Sequence, residues 1–557
     1  MNNKLISQAT IIQLENQGNN LFRAGRYQEA KHHYLEIIKN RPNNHTALHG
    51  LGMVEFQGKN ANAAIEYFLK AIKSNPKHKG SLLSLANIYS QLSQFLKAVK
   101  IYKKYLKIDN QNPAVYFHLA CNYMEIDEDE NVVKYLDKSI KLNPNEEAAY
   151  IKLADQYSKT KDFTKAKDIY ALAFKKGLKS RHLYECLANS YVVLGELAQA
   201  KEAYKAGIAE YADHLSFVNQ LSRIDDECIN GDLQISLDKG LATGGLIAGN
   251  EMLANFLLAK CAKKEGRFHQ EMQLNVDAHR IYRTKIKGSY HHDARFYLEG
   301  LPVVAATEKR FSADKGAKNK LASASPIFIV GVPRCGSTLV ENVICASGDE
   351  VILKGEENGC LLHAFASSEF SNTEQFWEQF TVKLAANYTN SKLLKENGRF
   401  TDKVLENLFF VDVILSVFPK AKIIYCQREP LASIVSILQN NLSRLPWAHD
   451  VDEIFQYIKS NLQTIDMWRE KYSDNIYTVV YEQFVSDPVN QSKKLLGFCD
   501  LQWTEDCLNF YNNKGVVSST ASNVQIRKKM NTNASHKYKN YLKFFDDYLK
   551  KYQLKVD

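Results

Sequence analysis

Residues 326–341, PIFIVGVPRCGSTLVE, decide how the second half of the chain folds. Ile327-Phe328-Ile329-Val330 reads as a short buried strand. Gly331 to Thr338 form a loop, and Leu339, Val340, Val343 and Ile344 then fall at helical spacing. A strand, a glycine-bearing loop and a helix turn free backbone N–H groups and a helix N-terminus toward an anion. The plain alternative is an ordinary strand-turn-helix connection.

The two loop glycines have Walker A spacing, but that motif needs a lysine where Ser337 stands. The only cation in the loop is Arg334, and no later strand ends in an aspartate suited to Mg²⁺. The site therefore suits a phosphate-like group held without the nucleoside-triphosphate and metal arrangement. Ala421–Cys426 (AKIIYC) and Ile476–Tyr481 (IYTVVY) read as further buried strands. Helical patterns cover Thr373–Tyr388, Glu406–Phe418 and Val451–Tyr472. Alternation of this kind predicts a parallel sheet covered on both faces, with ligands at the carboxyl ends of the strands. Arg428 follows the second of these strands and Ser436 lies eight residues on, so together they can hold a second, separate phosphate. An arginine there can equally pair with Glu429.

The first half is periodic. Six blocks of 34 residues run from Ile11 to His214. Their eighth positions are Gly18, Gly52, Ala86, Ala120, Ala154 and Ala188. Their twentieth are Ala30, Ala64, Ala98, Val132, Ala166 and Ala200. Their twenty-fourth are Tyr34, Phe68, Tyr102, Leu136, Tyr170 and Tyr204. Small residues at fixed places let paired helices approach, and the larger side chain fills the space beside them. This is the tetratricopeptide pattern, which predicts an all-α superhelix whose concave face docks a protein or peptide. Ile224–Asn250, with five glycines, reads as an irregular connection, Glu251–Lys285 as a degenerate repeat, and Lys309–Ser325 as a linker. The expected domains are 1–240 (repeats), 241–320 (degenerate repeat and linker) and 321–557.

The totals narrow the function classes. The 557 residues are 45% hydrophobic and 24% charged, which excludes wholesale disorder. A formal charge of +10 favours anionic ligands, but no arginine-rich stripe marks a nucleic-acid binder. Ten cysteines stand singly, without CxxC or Cys/His clusters, and read as reduced thiols of a cytoplasmic protein with no metal site. No apolar run reaches 18 residues and the N-terminus lacks an apolar core, so neither a membrane span nor a signal peptide is expected.

On these motifs the second half resembles the sulfotransferases that use 3′-phosphoadenosine 5′-phosphosulfate (PAPS). It is similar in particular to bacterial proteins with tetratricopeptide repeats ahead of a sulfotransferase domain, and to protein-tyrosine sulfotransferases. The resemblance implies an α/β, P-loop-like domain with PAPS as co-substrate and no metal. The family loop P-R-S-G-T-T-L is Pro333-Arg334-Cys335-Gly336-Ser337-Thr338-Leu339 here and implies a 5′-phosphosulfate site. The 3′-phosphate motif corresponds to Arg428, Pro430 and Ser436, followed by Gln439-Asn440 and Leu445-Pro446-Trp447-Ala448. Bacterial relatives point to Glu356 as the base and tyrosine sulfotransferases to Glu357, with Glu356 preferred slightly. Lys403, in Asp402-Lys403-Val404-Leu405-Glu406-Asn407, matches the family's D-K-x-P-x-N and would balance charge together with Arg334. Tyr481 matches a tyrosine near the adenine. Thr520–Arg527 resembles a segment that closes over the nucleotide, which makes Gln525, Arg527, Ser535 and Lys537 candidates for phosphate contacts. Cys335, Leu405, Ala432 and Lys529 depart from the family pattern and keep an inactive scaffold as an alternative, beside a P-loop kinase. The acceptor is a hydroxyl, open between a protein or peptide (tyrosine), a small molecule and a glycan.

Overall fold

Six helix pairs follow the 34-residue period: Gln8–Arg23 with Tyr27–Asn40, His45–Gln57 with Ala61–Ser74, Lys79–Gln91 with Phe95–Leu106, Pro113–Met124 with Asp129–Leu142, Glu147–Lys159 with Phe163–Lys175, and Arg181–Leu194 with Leu197–Glu210. The computed structural model describes residues 6–212, 214–246, 249–285, 294–306, 320–348, 352–366, 374–394, 399–512, 523–527, 530 and 536–556. Most of the expected linker, with Thr520–Ser522, Lys529 and Ser535, lies outside the described residues. The chain forms two units, Met1–Leu187 and Ala188–Asp557.

Every residue at the twentieth and twenty-fourth block positions is buried. The tyrosines among them obey a rule of their own. Tyr34, Tyr102, Tyr170 and Tyr204 each donate their hydroxyl to an Asn or Asp fifteen residues earlier, at Asn19, Asn87, Asp155 and Asn189. The two blocks with Phe68 and Leu136 have Met53 and Cys121 at that place instead. A buried hydroxyl needs a partner, so donor and acceptor come and go together. The turn inside each pair also repeats: Gly25, Lys59, Ser93, Asp127, Lys161 and Gly195 all have positive φ, between 55° and 80°. At Gly18 a Cβ would lie 2.7 Å from the Tyr34 ring, and at Gly52 2.6 Å from Phe68, so these helices pack closer than alanine allows.

Beyond the repeats come helices α1 (Leu215–Ile224), α2 (Glu251–Lys264) and α3 (Phe268–Lys285). The stretch expected to be irregular contains a helix, Gly231–Thr243. Gly231 opens it, Gly240 lies inside it and Gly244 (φ 64°) caps it in the left-handed conformation, while the Asn230 side chain caps the N-terminus, so the glycines do not prevent a helix.

Among the described residues the α/β part has four parallel strands: β1 (Ile327–Gly331), β2 (Thr401–Asp402), β3 (Lys422–Gln427) and β4 (Ile476–Val480), in the order β2-β1-β3-β4. Its helices include α4 (Ser337–Cys345), α5 (Glu374–Asn390), α6 (Pro430–Leu438) and α7 (Val451–Lys471). The pattern over Glu406–Phe418 divides into a 3₁₀ segment, Leu405–Phe410, and a short helix, Val411–Val417. Tyr481 does not end a strand; it opens the helix Tyr481–Ser486.

Helix α3 is fastened to α6 and its neighbours. The buried His279 donates from Nε2 to the Leu438 carbonyl (2.9 Å), which leaves its Nδ1 to accept from His449 Nδ1 (2.8 Å). Arg283 pairs with Asp450 and Glu453. The buried Glu271 accepts from Gln439 and Tyr541, each at 2.7 Å.

Candidate functional site

The loop after β1 is built by conformation as much as by side chains. Gly331 (φ 148°) passes so close to β3 that a Cβ would lie 2.6 Å from the Cys426 carbonyl oxygen. Arg334 takes a left-handed φ of 71°. Gly336 (φ 98°) precedes α4, and a Cβ there would lie 2.6 Å from Tyr481 Cδ2. Cys335, Ser337 and Thr338 are buried, and Leu339 half-buried, as the loop enters the helix.

At the next strand tip, Arg428 donates to the carbonyl oxygen of Arg334 (2.8 Å) and lies over the Tyr481 ring, 4.7 Å from its centroid. Arg334 Nε donates in turn to Ser436 Oγ (3.1 Å), 102 residues further along the chain. The two motifs expected to grip opposite ends of one ligand are therefore in direct contact. Burial first, and then the charges of Arg428 and Arg223, push the Arg334 guanidinium down to about 10.

A second cluster forms where β2 runs beside residues 354–357. Glu356 bridges Lys403 in parallel pairing, and Gly355 donates to Thr401 Oγ1 (3.1 Å). A Cβ at Gly355 would lie 2.0 Å from the Thr401 carbonyl oxygen. Lys403 Nζ stands 3.7 Å from Glu356 Oε1 and 3.9 Å from Glu341 Oε2, and Lys354 Nζ lies at 3.9 and 4.0 Å from the same carboxylates. Burial works against the Lys403 charge, yet Glu341, Glu356 and Glu357 outweigh it and hold its pKa above the ordinary value. Burial pushes the Glu341 carboxyl up against the pull of both lysines. Thr401 donates to Glu341 Oε1 (2.9 Å). Asp402 and Asn407 bond each other (2.9 Å), and Tyr388 donates to Asp402, so this pair braces the Lys403 loop. Burial raises Asp402 to about 6 against these hydrogen bonds.

The two adjacent glutamates part company. Glu356 is buried against the lysines, whereas Glu357, in a left-handed conformation (φ 49°), lines a cavity of about 470 Å³ together with Arg334, Gly336, Ser337, Thr338, Lys403, Asn441 and Arg444. Glu406 also lines it, its carboxyl pushed up by burial and by Glu357. Glu341 and Glu406 carried no signal in the sequence: one sits within a helix, the other between motif positions. Among the late candidates, Gln525 lies in a 3₁₀ turn, Gln525–Arg527, and Lys537 is exposed. Arg527 donates to the Val193 carbonyl (2.8 Å), and a Cβ at Gly195 would meet its guanidinium at 2.2 Å.

Residues 326–505 match the sulfotransferase family, and residues 16–78, 80–112 and 113–146 match tetratricopeptide repeats. An uncharacterised protein of Aquifex aeolicus (strain VF5) is 24% identical over 376 residues, covering 64% of this chain and 48% of that protein. A protein-tyrosine sulfotransferase of Drosophila melanogaster is 25% identical over 240 residues, covering 38% of this chain and 46% of that protein. The chain thus spans about half the length of the curated relatives it matches. The solved structure of Pseudomonas aeruginosa PilF covers 39% of this chain and 92% of its own, at 17% identity and a TM-score of 0.31, too low to argue from. The chain joins tetratricopeptide repeats to a domain of the sulfotransferase family. Among the described residues no helix is long and apolar enough to cross a membrane.

Proposed function

We propose that the chain moves a sulfuryl group from PAPS to an acceptor hydroxyl. The observation that supports this reading is the contact of Arg334 with Ser436 and Arg428, which brings the loops after β1 and β3 together at neighbouring strand tips. In this reading Arg334 and the backbone amides of Cys335–Leu339 hold the 5′-phosphosulfate, so the loss of a hydroxyl at Cys335 matters little. Arg428 and Ser436 hold the 3′-phosphate, and Tyr481, stacked beneath Arg428, borders the adenine. Gln525 stays a candidate for a phosphate contact, while Arg527 serves to dock the C-terminal segment.

Glu357 is the base, because it lines the cavity where an acceptor would enter. Glu356 sets the charge and position of Lys403. The acceptor oxygen gives its proton to Glu357 and forms a bond to sulfur. The bond from sulfur to the bridging phosphate oxygen breaks, and its electron pair stays on that oxygen. Lys403 and Arg334 balance the charge that develops there. The products are a sulfate ester and 3′,5′-adenosine bisphosphate. The repeats would supply a protein or peptide acceptor, tyrosine included, and the ten free cysteines support a reducing compartment, the cytoplasm.

Full-length protein with labelled PAPS and a panel of tyrosine peptides, phenols and sugars tests this. Glu357→Gln should lower turnover about 10²- to 10⁴-fold without weakening nucleotide binding. The larger loss in Glu356→Gln would move the base to Glu356. Nucleotide binding without turnover on any acceptor would favour an inactive scaffold, and Mg²⁺-dependent ATP turnover a kinase.

A further inference from the structure

Glu341 stands where the loop after β1 and Lys403 meet. It lies one turn into α4, the helix that the loop runs into, and is wholly buried. A carboxylate so placed needs a reason, because taking a charge out of water costs more than burying any neutral side chain. Thr401 Oγ1 donates to its Oε1 (2.9 Å). Its Oε2 accepts no hydrogen bond among the described residues and lies near two ammonium groups, Lys403 Nζ at 3.9 Å and Lys354 Nζ at 4.0 Å. The next residue, Asn342, accepts from Lys354 (3.2 Å) and donates to the Thr338 carbonyl (2.8 Å). Helix α4 thus engages both lysines, of which Lys403 lines the cavity.

The distances define what Glu341 can do. Lys403 lies 3.7 Å from Glu356 and 3.9 Å from Glu341, near enough for strong attraction in a buried place but too far to give either a hydrogen bond. The ammonium is held without spending its N–H donors on these carboxylates, so they stay available to a ligand oxygen in the cavity. Two carboxylates balance two ammonium groups here. Without Glu341, Lys403 and Lys354 would share Glu356 alone, and Lys403 would give up its proton more readily or be drawn into a closer pair with Glu356. Glu341 itself does not line the cavity, so it acts through Lys403. We propose that Glu341 is a positioning residue of the sulfuryl transfer: from the helix that follows the donor loop it holds the Lys403 ammonium at the cavity wall, so that one helix sets both the loop and the charge-balancing lysine. The proposal rests on the PAPS reading.

Besides Glu341, Lys403 faces Cys335 and Arg334 of the loop, Lys354, Glu356 and Glu357 beside β2, Glu406 of its own segment and Cys426 of β3. All of these stay in place in Glu341→Gln, which keeps an oxygen for Thr401 and removes only the charge. The test is calorimetric titration of the full chain with 3′,5′-adenosine bisphosphate across neutral and alkaline pH, with turnover followed over the same range. The 5′-phosphate of this product carries the oxygen that Lys403 would balance, so affinity should fall where Lys403 loses its proton. Losing a nearby negative charge lowers a lysine's pKa, so this alkaline limb should begin about one pH unit lower in Glu341→Gln than in the unsubstituted protein. Turnover at neutral pH should drop about tenfold, less than removal of a direct donor costs. Glu341→Asp, which keeps the charge, should leave the limb in place, and Glu341→Leu gives a second neutral variant should Gln not fold. In a Lys403→Ala background Glu341→Gln should cost no further turnover. An alkaline limb unmoved by Glu341→Gln, or the full loss repeated in the Lys403→Ala background, overturns the proposal even where the melting temperature falls. Absence of bisphosphate binding by the unsubstituted protein would instead overturn the PAPS reading.

Discussion

The repeats and the sheet domain use the same devices to different ends. In both, glycines admit a close approach and residues with positive φ shape a turn. In the repeats they recur at 34-residue spacing, the left-handed turn in all six blocks and the paired Tyr and Asn/Asp in four. In the sheet domain they fall at single places that do not repeat along the chain: Gly331 against Cys426, Gly336 against Tyr481, Gly355 against Thr401. Repetition spreads a structural role over many positions, whereas a site concentrates it, so equivalent substitutions should differ sharply in what they cost.

Within this contrast the larger effect is expected at Gly336. Gly336→Ala adds a Cβ 2.6 Å from Tyr481 at a φ of 98°, and the displaced loop should lower turnover about 100-fold. Activity within a few-fold of the unsubstituted protein would dissolve the contrast. Gly18→Ala makes a matching clash with Tyr34, but in one repeat of six. It should cost about 1–3 kcal/mol in chemical denaturation and leave nucleotide affinity unchanged.

An intermediate effect belongs to acid. Burial pushes His279 down to about 4 and His449 down to about 3. Unfolded histidine takes its proton near pH 6.5, so the stability these two contribute is present above that pH and is lost as pH falls from 6.5 toward 4. The slope per histidine is about 1.4 kcal/mol for each pH unit. Urea melts of the unit holding them should show this, and His279→Gln should flatten it; a flat profile in the unsubstituted protein refutes the assignment. The smallest effect is a gain: Lys59→Gly, Ser93→Gly or Lys161→Gly should each stabilise the array by up to about 1 kcal/mol, because glycine adopts their φ without strain. Destabilisation would show that the side chains make contacts worth more than the strain.

Much of this was legible in the sequence because it was periodic or chemically distinctive. The six blocks, β1 with its loop, and Arg428 with Ser436 after β3 all announced themselves. β2 did not, since two residues, Thr401 and Asp402, are too few to show a period. Glu356 and Glu357 were inseparable because adjacent residues leave an extended segment in opposite directions, and only the left-handed turn at Glu357 reveals which one reaches the cavity.

The proposed chemistry requires the loops around Arg334 and Ser436 to grip one doubly phosphorylated adenosine. Titration of the full-length protein with 3′,5′-adenosine bisphosphate decides whether they do. Micromolar binding, weakened about 100-fold or more by Arg334→Ala and about tenfold by Ser436→Ala, is the predicted result. Binding that is absent in the unsubstituted protein, or indifferent to both substitutions, would contradict it.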